Sequence, residues 1–302
     1  KAVEVAIMGQ VGGFADSAEQ VVDGLTSVGN AYNMYGADAM EEISDKMLQT
    51  QNLGKTTLGE ISQYIGQVAP LASQAGISID ELFGSIATLT ASGIKTRSTI
   101  TGLKATLSNI IKPTTEAAEA AEALGIQFDA AAISEKGLGG IMKEIKEKIE
   151  SASPEYAKLA DEAGEYNKQI TELTATQEKN KNEISDLETQ NKALKKQMEA
   201  TKEQYGTSSA QYKEYSKQLS NNKDKISELK TANKDLATNQ KDLEKQSSGV
   251  TAQMETLANA VDSPLSAYAS LFGSVEALND MMVLASDEGS KKLAEYTKGV
   301  SD

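Results

Sequence analysis

The sequence predicts an all-α protein: a compact helical body interrupted by a long antiparallel coiled-coil hairpin. Apolar residues recur in alternating steps of three and four from Tyr156 to Val261. The 302 residues are rich in Ala, Leu, Ile, Glu, Lys and Gln, with four prolines and only 5% aromatics. Helix-start and helix-stop residues punctuate the rest at short intervals. The expected organisation is a body over 1–153, a hairpin over 154–262 with its turn near 206–209, and helices returning to the body over 263–302.

Taken in order, the chain opens on a helically spaced apolar stretch, Val3, Ala6, Ile7, Phe14, Ala18, Val21, Val22 and Leu25, broken at Gly12-Gly13. Gly9, Gly12 and Gly13 do not fit a dinucleotide fingerprint, and no strand precedes them, so core packing is the reading. Residues 38–49 form a short amphipathic helix with Met40, Ile43, Met47 and Leu48. Gly54-Lys55-Thr56 shares letters with a phosphate loop, but Gln49 stands where that motif needs its first glycine.

Thr57 with Glu60, and Ser78 with Glu81, have the spacing of capping boxes. The first opens a helix through Ile61, Tyr64, Ile65 and Val68, which Pro70 either kinks or replaces with a new one before Gly76 stops it. The second opens a helix through Ile79, Leu82, Phe83, Ile86 and Leu89, closed by Gly93. A third uses Ile100, Leu103, Leu107, Ile110 and Ile111 and ends before Pro113; a fourth runs over 115–124 to Gly125. Residues 126–137 read as linker or short helix, and Leu138, Met142, Ile145 and Ile149 as a helix that either runs on or stops at Ser153-Pro154.

The first arm of the hairpin carries Tyr156, Leu159, Ala163, Tyr166, Ile170, Leu173, Gln177, Asn180, Ile184, Leu187, Asn191, Leu194, Met198, Thr201 and Tyr205 on one seam. The second carries Tyr212, Tyr215, Leu219, Asn222, Ile226, Leu229, Asn233, Leu236, Gln240, Leu243, Ser247, Val250, Met254, Leu257 and Val261. Gly206-Thr207-Ser208-Ser209 is the turn between them. Pairing seam residues whose numbers add to 413 sets Asn180 against Asn233, Asn191 against Asn222 and Ile184 against Leu229. A slip of one heptad would leave amides facing leucine or methionine, which is costly. Ser263-Pro264 repeats the Ser153-Pro154 arrangement, so the two steps read as hinges. Beyond them, Leu265, Tyr268, Leu271 and Phe272, then Val275, Leu278, Met282 and Val283, predict two amphipathic helices, and a polar helix begins near Ser290.

Composition excludes much chemistry. The chain has no His, Cys or Trp, which removes disulfides, thiolate or imidazole metal sites and every His-dependent triad. The net charge is −14, concentrated outside the hairpin, where 16 basic groups nearly balance 18 acidic ones over 151–261. With Arg97 the sole arginine, sequence-specific nucleic-acid binding is not expected. No apolar run approaches a membrane span and no leader is visible, so no membrane role is expected for this segment. Glu183, Asp186 and Glu188 alternate with Lys181 and Lys192 as a solvated flank. Tyr205, Tyr212 and Tyr215 cluster at the turn, where they either seal the seam or dock a partner; sealing is the favoured reading. Met281-Met282 reads as core. No catalytic residue, cofactor or metal is expected.

The run Val68-Ala69-Pro70-Leu71-Ala72-Ser73-Gln74-Ala75-Gly76-Ile77-Ser78-Ile79-Asp80-Glu81-Leu82, followed by Leu89-Thr90-Ala91-Ser92-Gly93-Ile94, resembles the core of phage tail tape-measure proteins. So do residues 103–113 and Leu124-Gly125-Ile126-Gln127-Phe128-Asp129. The likeness covers roughly residues 45–149, and 263–284 resembles the continuation of that core, as though the hairpin were inserted into it. Ile100-Thr101-Gly102 departs from it, standing where the family carries Ala-Gly-Thr. The resemblance implies a structural, non-enzymatic phage or prophage tail protein that lies in the tail-tube lumen, sets tail length during assembly and leaves before the DNA. It implies assembly in the host cytoplasm, with the tail tube protein and tail assembly chaperones as partners; a homo-oligomer is also expected. Two rivals are a coiled-coil adaptor docking through the hairpin tip and a part of a wall-degrading enzyme.

Overall fold

Thirteen α-helices, one 3-10 turn and no strand make up the described residues. The computed structural model describes residues 17–301. The expectations on Val3, Ala6, Ile7, Gly9, Gly12, Gly13 and Phe14 fall outside that range. The all-α class holds throughout it.

Helix starts follow local side-chain chemistry. Ser17 accepts from the Gln20 amide and opens α1 (Ala18–Tyr32). Helix α2 (Ala37–Leu53) runs four residues beyond its expected end and stops at Gly54. That glycine is a packing device: a Cβ there would stand 2.4 Å from Thr90 Oγ1. The Gly-Lys-Thr triplet therefore serves a close helix approach. Thr57 opens α3 (Leu58–Tyr64) and Ser78 opens α5 (Ile79–Ala91), each accepting the amide three residues on. Pro70 starts a separate helix, α4 (Ala69–Ala75), after the 3-10 turn Ile65–Gln67.

The two capping boxes are only half formed. Glu60 Oε2 accepts from Thr96 Oγ1 at 3.0 Å, and Glu81 Oε1 accepts from the Gly139 amide at 3.2 Å. Donors from other helices compete for these carboxylates. Helix α6 (Thr96–Ile111) and α7 (Thr115–Leu124) match expectation. Of the two readings for 126–137, linker or short helix, the second holds: α8 (Ala130–Ala152) begins there and is broken at Gly137, whose φ of 70° suits glycine. That break strips the next amides of partners within the helix, and Glu81 supplies one.

The returning helices are α11 (Ser266–Phe272), α12 (Val275–Ala285) and α13 (Asp287–Ser301). They complete the core: Phe272 is fully buried and meets Phe128 edge to face, with centroids 5.7 Å apart. Met281 and Met282 are buried as expected. Gly84 admits α13 against α5, since a Cβ on it would lie 2.4 Å from Thr297 Oγ1.

The described residues up to Lys168 together with those from Gln246 onward form one compact unit; Gln169–Lys245 forms another. The first unit thus keeps the roots of both long helices, α9 (Pro154–Tyr205) and α10 (Ala210–Ala258). Tyr156, Ala157, Ala160 and Ala163 of one root, and Val250, Met254 and Ala258 of the other, belong to its core. The expected boundaries at 153 and 263 followed the Ser-Pro steps, whereas burial carries the body further along each helix.

The second unit is a pair of antiparallel helices. Asn180 Nδ2 donates to Asn233 Oδ1 at 2.9 Å, the bond that the expected register requires. Gln177 bonds to Gln240 at 3.1 Å, and Asn233 Nδ2 donates to the Gln177 carbonyl at 3.3 Å. Every seam position from Ile170 to Thr201, and from Tyr212 to Leu243, is buried or half-buried. One rung departs: Asn191 is buried with Oδ1 unpaired, so no amide pair forms with Asn222. The register sets which residues face each other; the amide rotamer decides whether they bond.

The far end of α10 also corrects the sequence reading. The helix stops at Ala258, and Val261 is 92% exposed. Ser263 Oγ donates to the Leu257 carbonyl at 2.7 Å and accepts from the Leu265 amide, which closes the helix before the seam can extend. Pro264 therefore precedes α11 by two residues and is not its first member, unlike Pro154 in α9.

Candidate functional site

At the turn between α9 and α10, Gly206 takes a φ of 77° and Ser209 Oγ accepts from the Tyr212 amide at 3.2 Å. These two residues reverse the chain and start the second helix. Tyr212 and Tyr215 are half-buried in the seam, and the Tyr215 hydroxyl accepts from Gln211. Tyr205 does not seal anything: it is 60% exposed. It is the last residue of α9, so its side chain has no facing rung. The turn therefore presents one free aromatic ring beside two that belong to the pair.

The acids expected as a solvated flank behave as one. Lys181 pairs with Glu178, and Glu188 reaches across to Lys230 at 3.3 Å; its pairing is thus between helices, not with Lys192. Asp186 is exposed and Glu183 is half-buried. Among the described residues, no group of acids could hold a metal ion, and no helix is long and apolar enough to cross a membrane.

The body holds buried polar groups that the sequence did not single out. Lys146 on α8 lies between Asp161 of α9 and Asp287 at the start of α13, each at 2.9 Å, with Glu150 at 3.6 Å. Burial acts to lower its pKa, but the hydrogen bonds it donates to Asp287 and Asp161 outweigh that and hold the ammonium above the ordinary lysine range. The same bond holds the Asp287 carboxyl below its ordinary range. Lys46 on α2 makes a similar tie, 2.7 Å from Asp80 and 3.4 Å from the Val300 carbonyl. Both lysines sit on apolar stripes, beside Met47 and Ile43 in one case and Ile145 and Ile149 in the other. That misplacement was the available signal.

A third group lies where α9 enters the body. The Tyr156 hydroxyl donates to Asn279 Oδ1 at 2.5 Å, and Asp280 is buried next to it in sequence. Burial drives the Tyr156 hydroxyl well above its ordinary range, with Asp280 adding to it. These groups fasten helices to one another. Lys46 also lines an open surface depression with Glu42, Asp45 and Val300.

A family model described as phage-related minor tail protein matches residues 1–164, more than half of the chain. No curated protein and no solved structure matches it.

Proposed function

The chain belongs to the phage-related minor tail protein family, and from that premise we propose that it is the tape measure of the tail. In this reading it occupies the lumen of the tail tube, sets tail length during assembly and leaves ahead of the DNA. The family match establishes a tail component with a structural role, hence a part of the virion. The finer assignment is carried by the ordered motifs of 68–94, 103–113 and 124–129, which resemble a tape-measure core. Their local structure is consistent with that: the Gly76, Gly93 and Gly125 stops each take positive φ and follow the short helices α4, α5 and α7. A helical chain also converts residue number into distance at about 1.5 Å each, which suits a ruler. An acidic surface does not retain the DNA that follows it.

The role is non-catalytic, with the tail tube protein and assembly chaperones as partners and self-association as the oligomeric state. The non-catalytic part of this reading is in keeping with the ion pairs just described, in which Lys46 and Lys146 join helices. An epitope inserted at 206–209 of the full chain tests the lumen assignment. Antibody should miss it in intact virions and bind it after DNA release; labelling of intact tails would overturn the reading. Tyr205, standing exposed at the turn, favours a second reading in which the tip docks a partner. Deleting 205–215 would abolish that docking, whereas the first reading leaves tail length unchanged.

A further inference from the structure

Asp280 sits on α12 with only 8% of its surface exposed, and its Oδ2 is sealed with no hydrogen-bond partner. The oxygen lies against α6 at Gly102, where a Cβ would come within 2.9 Å of it. The sequence thus places glycine where the carboxyl needs room. From α9 the titratable group acting with it is Tyr156, whose hydroxyl is committed to Asn279. The charge that acts on Asp280 is Glu276, one turn earlier on the same helix, and it is of like sign. On its Oδ2 side a carboxylate in that setting has no donor, and the neighbouring Glu276 repels its charge, while a neutral carboxyl fits.

We propose that Asp280 is a proton-operated latch for the seat of α9: protonated, it lets α6, α9 and α12 pack closed, and loss of its proton to solvent loosens them. Burial first, and Glu276 second, push its pKa up to about 7. The folded pKa is thus raised above the unfolded value, so opening releases a proton. The stability of the seat falls as pH climbs from the ordinary carboxyl range toward 7 and levels off above it. The device operates around neutrality, where a modest change in pH alters the fraction closed.

Hydrogen exchange of the full chain, corrected for intrinsic rates, tests this at pH 5 and pH 8. Opening of 275–285 and 154–163 should increase on the order of fifty-fold between the two, while segments outside the seat change far less. Asp280→Asn should abolish the difference, and Asp280→Ser provides a second uncharged variant should the amide disturb folding. A pH response that survives in the uncharged variant, or exchange in the natural protein that does not change with pH, overturns the proposal.

Discussion

The two units reach helical structure by opposite means. In the body, short helices are started by Ser17, Thr57 and Ser78 and stopped by residues such as Asn33, Gly76 and Gly125 that take positive φ, and their faces are buried by residues far away in sequence. In the pair of long helices, one seven-residue period carries the whole seam, and neighbours in space come from mirror positions about one turn. Phe83, Phe272 and Met281 are fully buried in the body, whereas in Gln169–Lys245 most seam residues stay half-exposed and amides interrupt them. A body with this much apolar burial resists single polar changes elsewhere; a two-helix seam does not. The contrast predicts separable stabilities.

The largest effect should follow Phe272→Ala, which leaves a cavity beside Phe128 and costs about 3–5 kcal/mol of body stability in denaturant unfolding. Unfolding of the body without such a loss would show that the aromatic pair is peripheral. Ile184→Asp comes next, placing a charge in the seam opposite Leu229, with a cost of roughly 2–4 kcal/mol confined to the arms. Limited proteolysis should then cut within 169–245 and spare the rest; joint loss of both units would end the idea of separable stability. The smallest effect concerns the amide rung. Asn180→Leu alone strands Asn233 Oδ1 and costs about 1–2 kcal/mol, while adding Asn233→Leu restores or raises the arm's melting temperature. A double variant no better than the single one would show that the amide bond is not the coupling between them.

The sequence carried the local chemistry well. The caps at Thr57 and Ser78, the stops at Gly76 and Gly125 and the turn at 206–209 depend on residues within four positions of one another, and these are legible in the sequence. The register was visible too, because Asn180 and Asn233 label matching heights on two otherwise similar seams. What escaped was whatever depends on a third element. The heptad phase runs unbroken from Tyr156 into the arms, so nothing in it marks where the body stops covering the helix near Lys168. Glu60 and Glu81 were legible as capping partners but not as acceptors for Thr96 and Gly139, which lie 36 and 58 positions away. Lys146 and Asp280 were missed for the same reason: their surroundings are assembled from helices distant in the chain. Tyr205 keeps the seam's spacing, yet the last facing pair lies one rung before it, which leaves its ring exposed.

The self-paired arms are the claim on which the rest stands, and the absence of cysteine makes it directly measurable. Cysteines placed by Asn180→Cys and Asn233→Cys should form an intramolecular disulfide in high yield, and the chain should run as a compact monomer on a non-reducing gel. The one-heptad slip pair, Asn180→Cys with Gln240→Cys, should form little. Crosslinking only between chains, or preferentially in the slipped pair, would contradict the account.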